Sequence, residues 1–120
     1  MTDELPRTLE VSLSSLAELA VEWWRLERWA GGAEQEASTQ RARHVARRLG
    51  KFLSERGLEV IDLTGRAYEP GLAVEVLDAF EDAALPAGAQ VVDETVAPIV
   101  LWRGEVVRHG QVVVRRGRQT

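Results

Sequence analysis

Apolar positions along this chain change their period partway through. Leu16, Leu19, Trp23, Leu26 and Ala30 recur at alternating steps of three and four, the spacing that lays side chains along one stripe of an α-helix. Leu13, Ala17, Ala20 and Trp24 form a second row beside it. The apolar arc is therefore wide, and the helix is expected to be covered on more than one side. Ser12, Ser14 or Ser15 can cap it. Glu18 stands three residues after Ser15, in capping-box spacing, and Gly31-Gly32 ends the helix. From about Glu34 to Arg56 the spacing returns in Ala42, Val45, Leu49 and Phe52, with Ala46 and Leu53 alongside. Arg41, Arg43, Arg47, Arg48 and Lys51 take the opposite face, and Gly57 closes the helix in the C′ position. Two amphipathic helices joined by a short Gly-containing loop predict an antiparallel helical hairpin.

Beyond Gly57 the period falls to two. Leu58 to Leu63 reads as extended, and Thr64-Gly65 and Tyr68-Glu69-Pro70-Gly71 read as turns. In residues 72–77, Leu72, Val74 and Val76 alternate with Ala73, Glu75 and Leu77, a strand pattern that a short helix also fits, and residues 83–89 read as loop. Gln90 to Arg116 is dense in Val and broken at Arg103-Gly104 and His109-Gly110. β-branched runs joined by two residues containing Gly read as hairpins. This stretch therefore predicts an antiparallel meander, followed by a polar tail over residues 115–120.

The expected fold class is α+β: an N-terminal helical hairpin followed by a small antiparallel β-domain. The composition shift places the boundary near residue 57, with 1–57 helical and 58–120 forming a β-domain that packs mainly on itself. One hairpin cannot bury Leu16, Leu19, Trp23 and Leu26 together with Val45, Leu49 and Phe52. Pairing two hairpins in a homodimeric four-helix bundle would cover those residues.

Bulk numbers narrow the function. The formal net charge is −4 and the pI near 5.2, which argues against a non-specific nucleic-acid binder. Arginines 41, 43, 47 and 48 around His44 fit the polar back of a helix, diluted by Glu34, Glu36 and Glu55. There are no cysteines, which excludes disulfides and thiolate chemistry. Nothing approaches the roughly 20 apolar residues that span a bilayer, and MTDELPRTLE lacks the apolar run of a signal peptide; a cytoplasmic protein is expected. His44 and His109 are too few and too far apart in sequence for a His-based metal site. Asp78, Glu81, Asp82, Asp93 and Glu94 read as a solvated rim rather than paired catalytic carboxylates, and no phosphate-binding Gly-rich loop is present. No cofactor, metal or enzymatic activity is expected. Trp is frequent, four residues with three inside Trp23 to Trp29. Trp23 reads as core, while Trp24 and Trp29 on the flank suit an interface.

The order of elements carries a resemblance. Gly57, Leu58, Ile61, Gly65, Tyr68, Glu69, Pro70 and Val76 keep the order and spacing of the helix exit in the GrpE family, the nucleotide exchange factors of DnaK-type heat-shock chaperones. Gly104, Val106, Arg108, Val112 and Val114 match the family's closing strands. Gly88 and Glu94 are similar with a small gap, and Leu26-Glu27-Arg28 resembles the end of its long helix. The resemblance covers about residues 20–115. Glu105 replaces an Arg of the pattern, His109-Gly110 replaces Pro-Ala, and Ala73-Val74-Glu75 stands where the family has His-Glu-Ala. The family's long N-terminal stalk helix has no counterpart in the dozen residues ahead of Leu13. The resemblance implies a homodimer whose β-domain binds the ATPase domain of a DnaK-type chaperone and promotes ADP release. It makes Trp102, Arg103, Glu105, Arg108 and His109 the candidate contacts. The alternative is a GrpE-like dimeric adaptor without exchange activity, which the altered Arg and His-Glu positions favour.

Overall fold

Ser12 starts the first helix. Its Oγ accepts the Ser15 backbone N–H at 3.1 Å and its carbonyl accepts the Leu16 N–H, so Ser12 rather than Ser15 is the N-cap, and the Ser15–Glu18 capping box does not form. The computed structural model describes residues 7–32 and 37–118. In chain order it has α1 (Leu13–Gly32), α2 (Ala37–Glu55), β1 (Leu58–Ile61), β2 (Val74–Glu81), β3 (Gln90–Ala97), β4 (Ile99–Trp102), β5 (Glu105–Arg108) and β6 (Gly110–Arg116). The expected helix start at Glu34 lies outside the described residues. Gly57 follows α2 at φ 86°, a left-handed C′ position that favours glycine. The molecule is α+β, two helices followed by β-sheets.

α1 and α2 pack against each other with chain directions opposed. The Trp23 indole N–H donates to the Ala46 carbonyl at 2.8 Å, and Arg43 Nε donates to the Ala30 carbonyl at 2.8 Å. Gly50 permits this approach, since a Cβ there would stand 2.7 Å from the Trp23 ring.

The strands form two three-stranded sheets, ordered β1-β4-β5 and β2-β6-β3. All pairings in the first are antiparallel; in the second β6 runs parallel to β2 and antiparallel to β3. This corrects the expected meander. Arg103 and Gly104 have φ of 49° and 84°, the two positive values of a tight type I′ reversal, so β4 and β5 do form a hairpin. Gly110 serves a different need. A Cβ there would lie 3.0 Å from the Ala97 carbonyl oxygen and 3.1 Å from the Ile99 amide. The glycine lets the chain pass beneath the β3–β4 junction and leave the first sheet for the second. β6 also claims Arg115 and Arg116, so the expected polar tail is shorter than read.

β4 joins the layers. Val100 and Trp102 face the helices, while Ile99 and Leu101 face the second sheet. One core combines Ala17, Ala20, Val21 and Leu53 with Leu58, Ala97 and Val100. The other combines Leu63, Val92, Ile99, Val112 and Val114. Most of the packing of the β-region is among its own strands, while the first core crosses the expected boundary at residue 57. The reason is the second helical row: Ala17, Ala20 and Trp24, together with Val21, are buried, and the small side chains among them let a helix lie close on a sheet.

A polar junction ties α1 to the far layer. Thr95 is 1% exposed. Its Oγ1 accepts the Leu63 amide at 3.2 Å and the Thr64 hydroxyl at 3.0 Å, and its carbonyl accepts Arg28 Nη1 at 2.9 Å. Asp62 Oδ1 beside it accepts the Thr64 amide at 3.0 Å. Partial burial pushes the Asp62 carboxyl up. The Thr64 amide, the Thr64 and Thr95 hydroxyls and the Arg28 charge together outweigh it, holding the group below its ordinary value. A carboxyl depressed on folding adds stability above its unfolded pKa, and that stability is lost as pH falls through the folded value. Asp62→Asn should therefore lower stability at neutral pH and flatten its fall below about pH 4. Urea unfolding across that range checks this; parallel pH profiles for both proteins would exclude the role. Among the described residues no helix is long and apolar enough to cross a membrane.

Candidate interaction surfaces

The β4–β5 tip is fixed from beneath. The Trp102 indole N–H donates to the Arg56 carbonyl at 3.1 Å, and the Arg103 amide donates to the Gly57 carbonyl at 2.9 Å. Both acceptors sit at the α2 exit, where carbonyls lack helical partners. Arg103 lays its guanidinium over the Trp102 ring, 4.7 Å from the centroid. Trp102 is thus half-buried and held by its own chain, packed against the first core. Arg103, Glu105 and His109 are exposed and Arg108 is half-buried. β5 is an outer strand of its sheet, so Glu105 and Arg108 lie on an edge, with Arg103 and His109 at its two ends. The structure places the five sequence candidates along one hairpin; four offer charged or polar groups, and Trp102 anchors them.

The second surface is helical. Leu19, Val45 and Phe52 are 38%, 51% and 42% exposed, with Leu16, Trp23, Leu26 and Leu49 half-buried. At 3.6 residues per turn, Leu19 and Leu26 stand roughly opposite Ala17 and Val21, the row on the sheet. Helical geometry puts Val45 and Phe52 on the same side of the pair, turned away from the sheet. The Arg56 guanidinium stacks on Phe52 at 3.5 Å. Acidic Glu18 and Glu22 flank the α1 row; basic Arg41 and Arg48 flank the α2 row. Trp29, 59% exposed, lies beyond them, whereas Trp24 is buried beneath Arg28.

Among the described residues no group of histidines and carboxylates could hold a metal ion. His44 and His109 are exposed on different elements. Asp82 and Asp93 are ion-paired to Arg115 at 3.2 and 3.4 Å. The Ala84 amide and the Arg115 guanidinium hold the Asp82 carboxyl below its ordinary value. Arg41, His44, Arg47, Arg48 and Lys51 are exposed on α2, while Arg43 turns in to Ala30.

Sequence reasoning missed a third surface, the outer face of the second sheet. Leu77 and Phe80 are each 46% exposed there. The available signal was an apolar residue on the polar phase of a strand: Leu77 follows Glu75 in the outward register. The chain matches no protein-family model and no curated protein.

Proposed function

We propose that the chain is a homodimeric protein-binding module of GrpE type, a nucleotide exchange factor for the ATPase domain of a DnaK-type chaperone. The observation that carries the dimer is the apolar row of Leu16, Leu19, Trp23, Leu26, Val45, Leu49 and Phe52, much of it open on one side of the helical pair. A second copy seated there closes a four-helix bundle. The resemblance carries the choice of partner. Its glycines 57, 65, 88 and 104 all have positive φ, so the matched positions are ones this backbone requires.

Exchange needs differential affinity. The β5 edge must bind the open, nucleotide-free cleft better than the closed ADP-bound one, and ADP then binds the complex more weakly by the same factor. A thousandfold weakening takes about 4 kcal/mol. Arg103 and Arg108 supply charge-assisted donors for carboxylates on a tip whose geometry is already fixed, which lowers the ordering cost.

The test is release of a fluorescent ADP analogue from a DnaK-type chaperone. Arg103→Glu with Arg108→Glu should slow accelerated release by at least about tenfold, or about 1.4 kcal/mol, while the protein stays dimeric by light scattering. Trp102 is a poor choice for this test because it holds the tip on α2. Glu105, exposed where the family pattern has Arg, favours the second reading, an adaptor without exchange activity. Binding to the chaperone with no change in ADP release would establish that reading; no binding would remove both.

A further inference from the structure

The second sheet leaves one face uncovered. Its inner residues Val92, Val112 and Val114 are 0% exposed. Its outer rows follow from the register: Phe80 beside Arg115 beside Val91, and Asp78 beside Val113 beside Glu94. Phe80, Asp78 and Glu94 are exposed and Val113 is half-buried. Leu77 is the extra residue of the β2 bulge between Val76 and Asp78.

Charge on this face is one-sided. Arg115 is its basic residue, and Asp82 and Asp93 already hold it at 3.2 and 3.4 Å. Glu75 receives only a long bond from Gln111, 3.4 Å. Asp78 accepts its neighbour's Ala79 amide at 2.8 Å, and no ion pair forms to Asp78 or Glu94 among the described residues. Apolar anchors ringed by uncompensated carboxylates complement a cationic partner with apolar residues of its own.

The route of docking is also legible. Of the two outer strands, β3 is already paired by residues 65–68; β2 is open, but the bulge twists it and the Asp78 side chain occupies the Ala79 amide. Both features blunt strand addition at an edge. The face, not the edge, is available.

We infer that the outer face of the β2-β6-β3 sheet docks a Lys/Arg-rich segment of a partner protein, its apolar side chains seated on Leu77 and Phe80 and its cations over Asp78 and Glu94. The site is separate from the helical row and the β5 edge, and it does not depend on the chaperone reading.

The probe is a short fluorescein-labelled peptide of lysines with two leucines. It is compared with versions carrying glutamate for lysine or serine for leucine. Fluorescence anisotropy should show the lysine–leucine peptide binding at least about tenfold tighter than either. Asp78→Lys with Glu94→Lys should weaken binding at least about tenfold, and Phe80→Ser should weaken it severalfold. Glu10→Lys with Glu55→Lys, both exposed in the helical region, should leave it unchanged. Circular dichroism confirms that each variant is folded. No binding, or binding indifferent to Phe80→Ser or to the charge reversals, overturns the inference. So does self-association of the unaltered protein that is lost in Asp78→Lys/Glu94→Lys, since the occupant would then be the arginine face of a second copy.

Discussion

Leu19→Glu combined with Phe52→Glu should convert the protein from a dimer to a folded monomer. Both side chains are partly exposed in the single chain, 38% and 42%, so neither substitution empties the core that α1 and α2 share with the first sheet. In the proposed bundle, however, each would bury a carboxylate among Leu16, Trp23, Leu26 and Leu49 of both copies, without a partner. Central apolar residues of an interface cost about 2 kcal/mol or more each when truncated, and an unpaired buried charge adds to that. A weakening of at least ~1,000-fold, about 4 kcal/mol, is expected. Sedimentation velocity over a concentration series reads it, with circular dichroism to show retained helix. The acidic flank of α1 and the basic flank of α2 predict that added salt weakens the unaltered dimer as well. A monodisperse monomer for the unaltered protein would remove the dimer, and with it the four-helix bundle.

Leu53→Ala should destabilise helices and strands together. Leu53 is 2% exposed and sits between Ala20 and Leu58 in the core that spans the helix–sheet boundary. Deleting a buried leucine side chain costs about 2–5 kcal/mol, set by how far the cavity collapses. Collapse is limited here because Gly50 already lies against the Trp23 ring. Chemical denaturation should shift to lower denaturant, and hydrogen exchange should accelerate in α1 and in β4 by a similar factor. Exchange that quickens in the helices while β4 amides keep their protection would mean that two units fold separately, with a boundary at residue 57.

The helical periods, the cap at Gly57, the strand at Leu58, the β4–β5 reversal at Arg103-Gly104 and the phase of Val74 and Val76 were all legible in the sequence. Each depends on local geometry: side-chain spacing along one element, or backbone freedom at one glycine. The sequence also named the helical row of Leu19, Val45 and Phe52 as more than one chain needs, because amphipathic area is counted along a single element.

Tertiary structure alone decided how those elements combine. His109-Gly110 looks like a second hairpin, but the same dipeptide serves a reversal or a close crossing. Only the Ala97 carbonyl, 3.0 Å from where a Cβ would stand, makes it a crossing. Which of two apolar rows on α1 meets the sheet was equally open, since periodicity gives the rows but not their partners. The small Ala17 and Ala20 won the sheet, leaving the larger Leu19 and Leu26 turned the other way. The resemblance puts Trp102 among the candidate contacts; the carbonyl of Arg56, 46 residues away in the chain, accepts its indole N–H and anchors it to its own chain. The outer face of the second sheet exists because β2 pairs with a strand more than thirty residues downstream. Non-local pairing carries no period in the sequence, so the juxtaposition of Phe80, Asp78 and Glu94 was not there to be read.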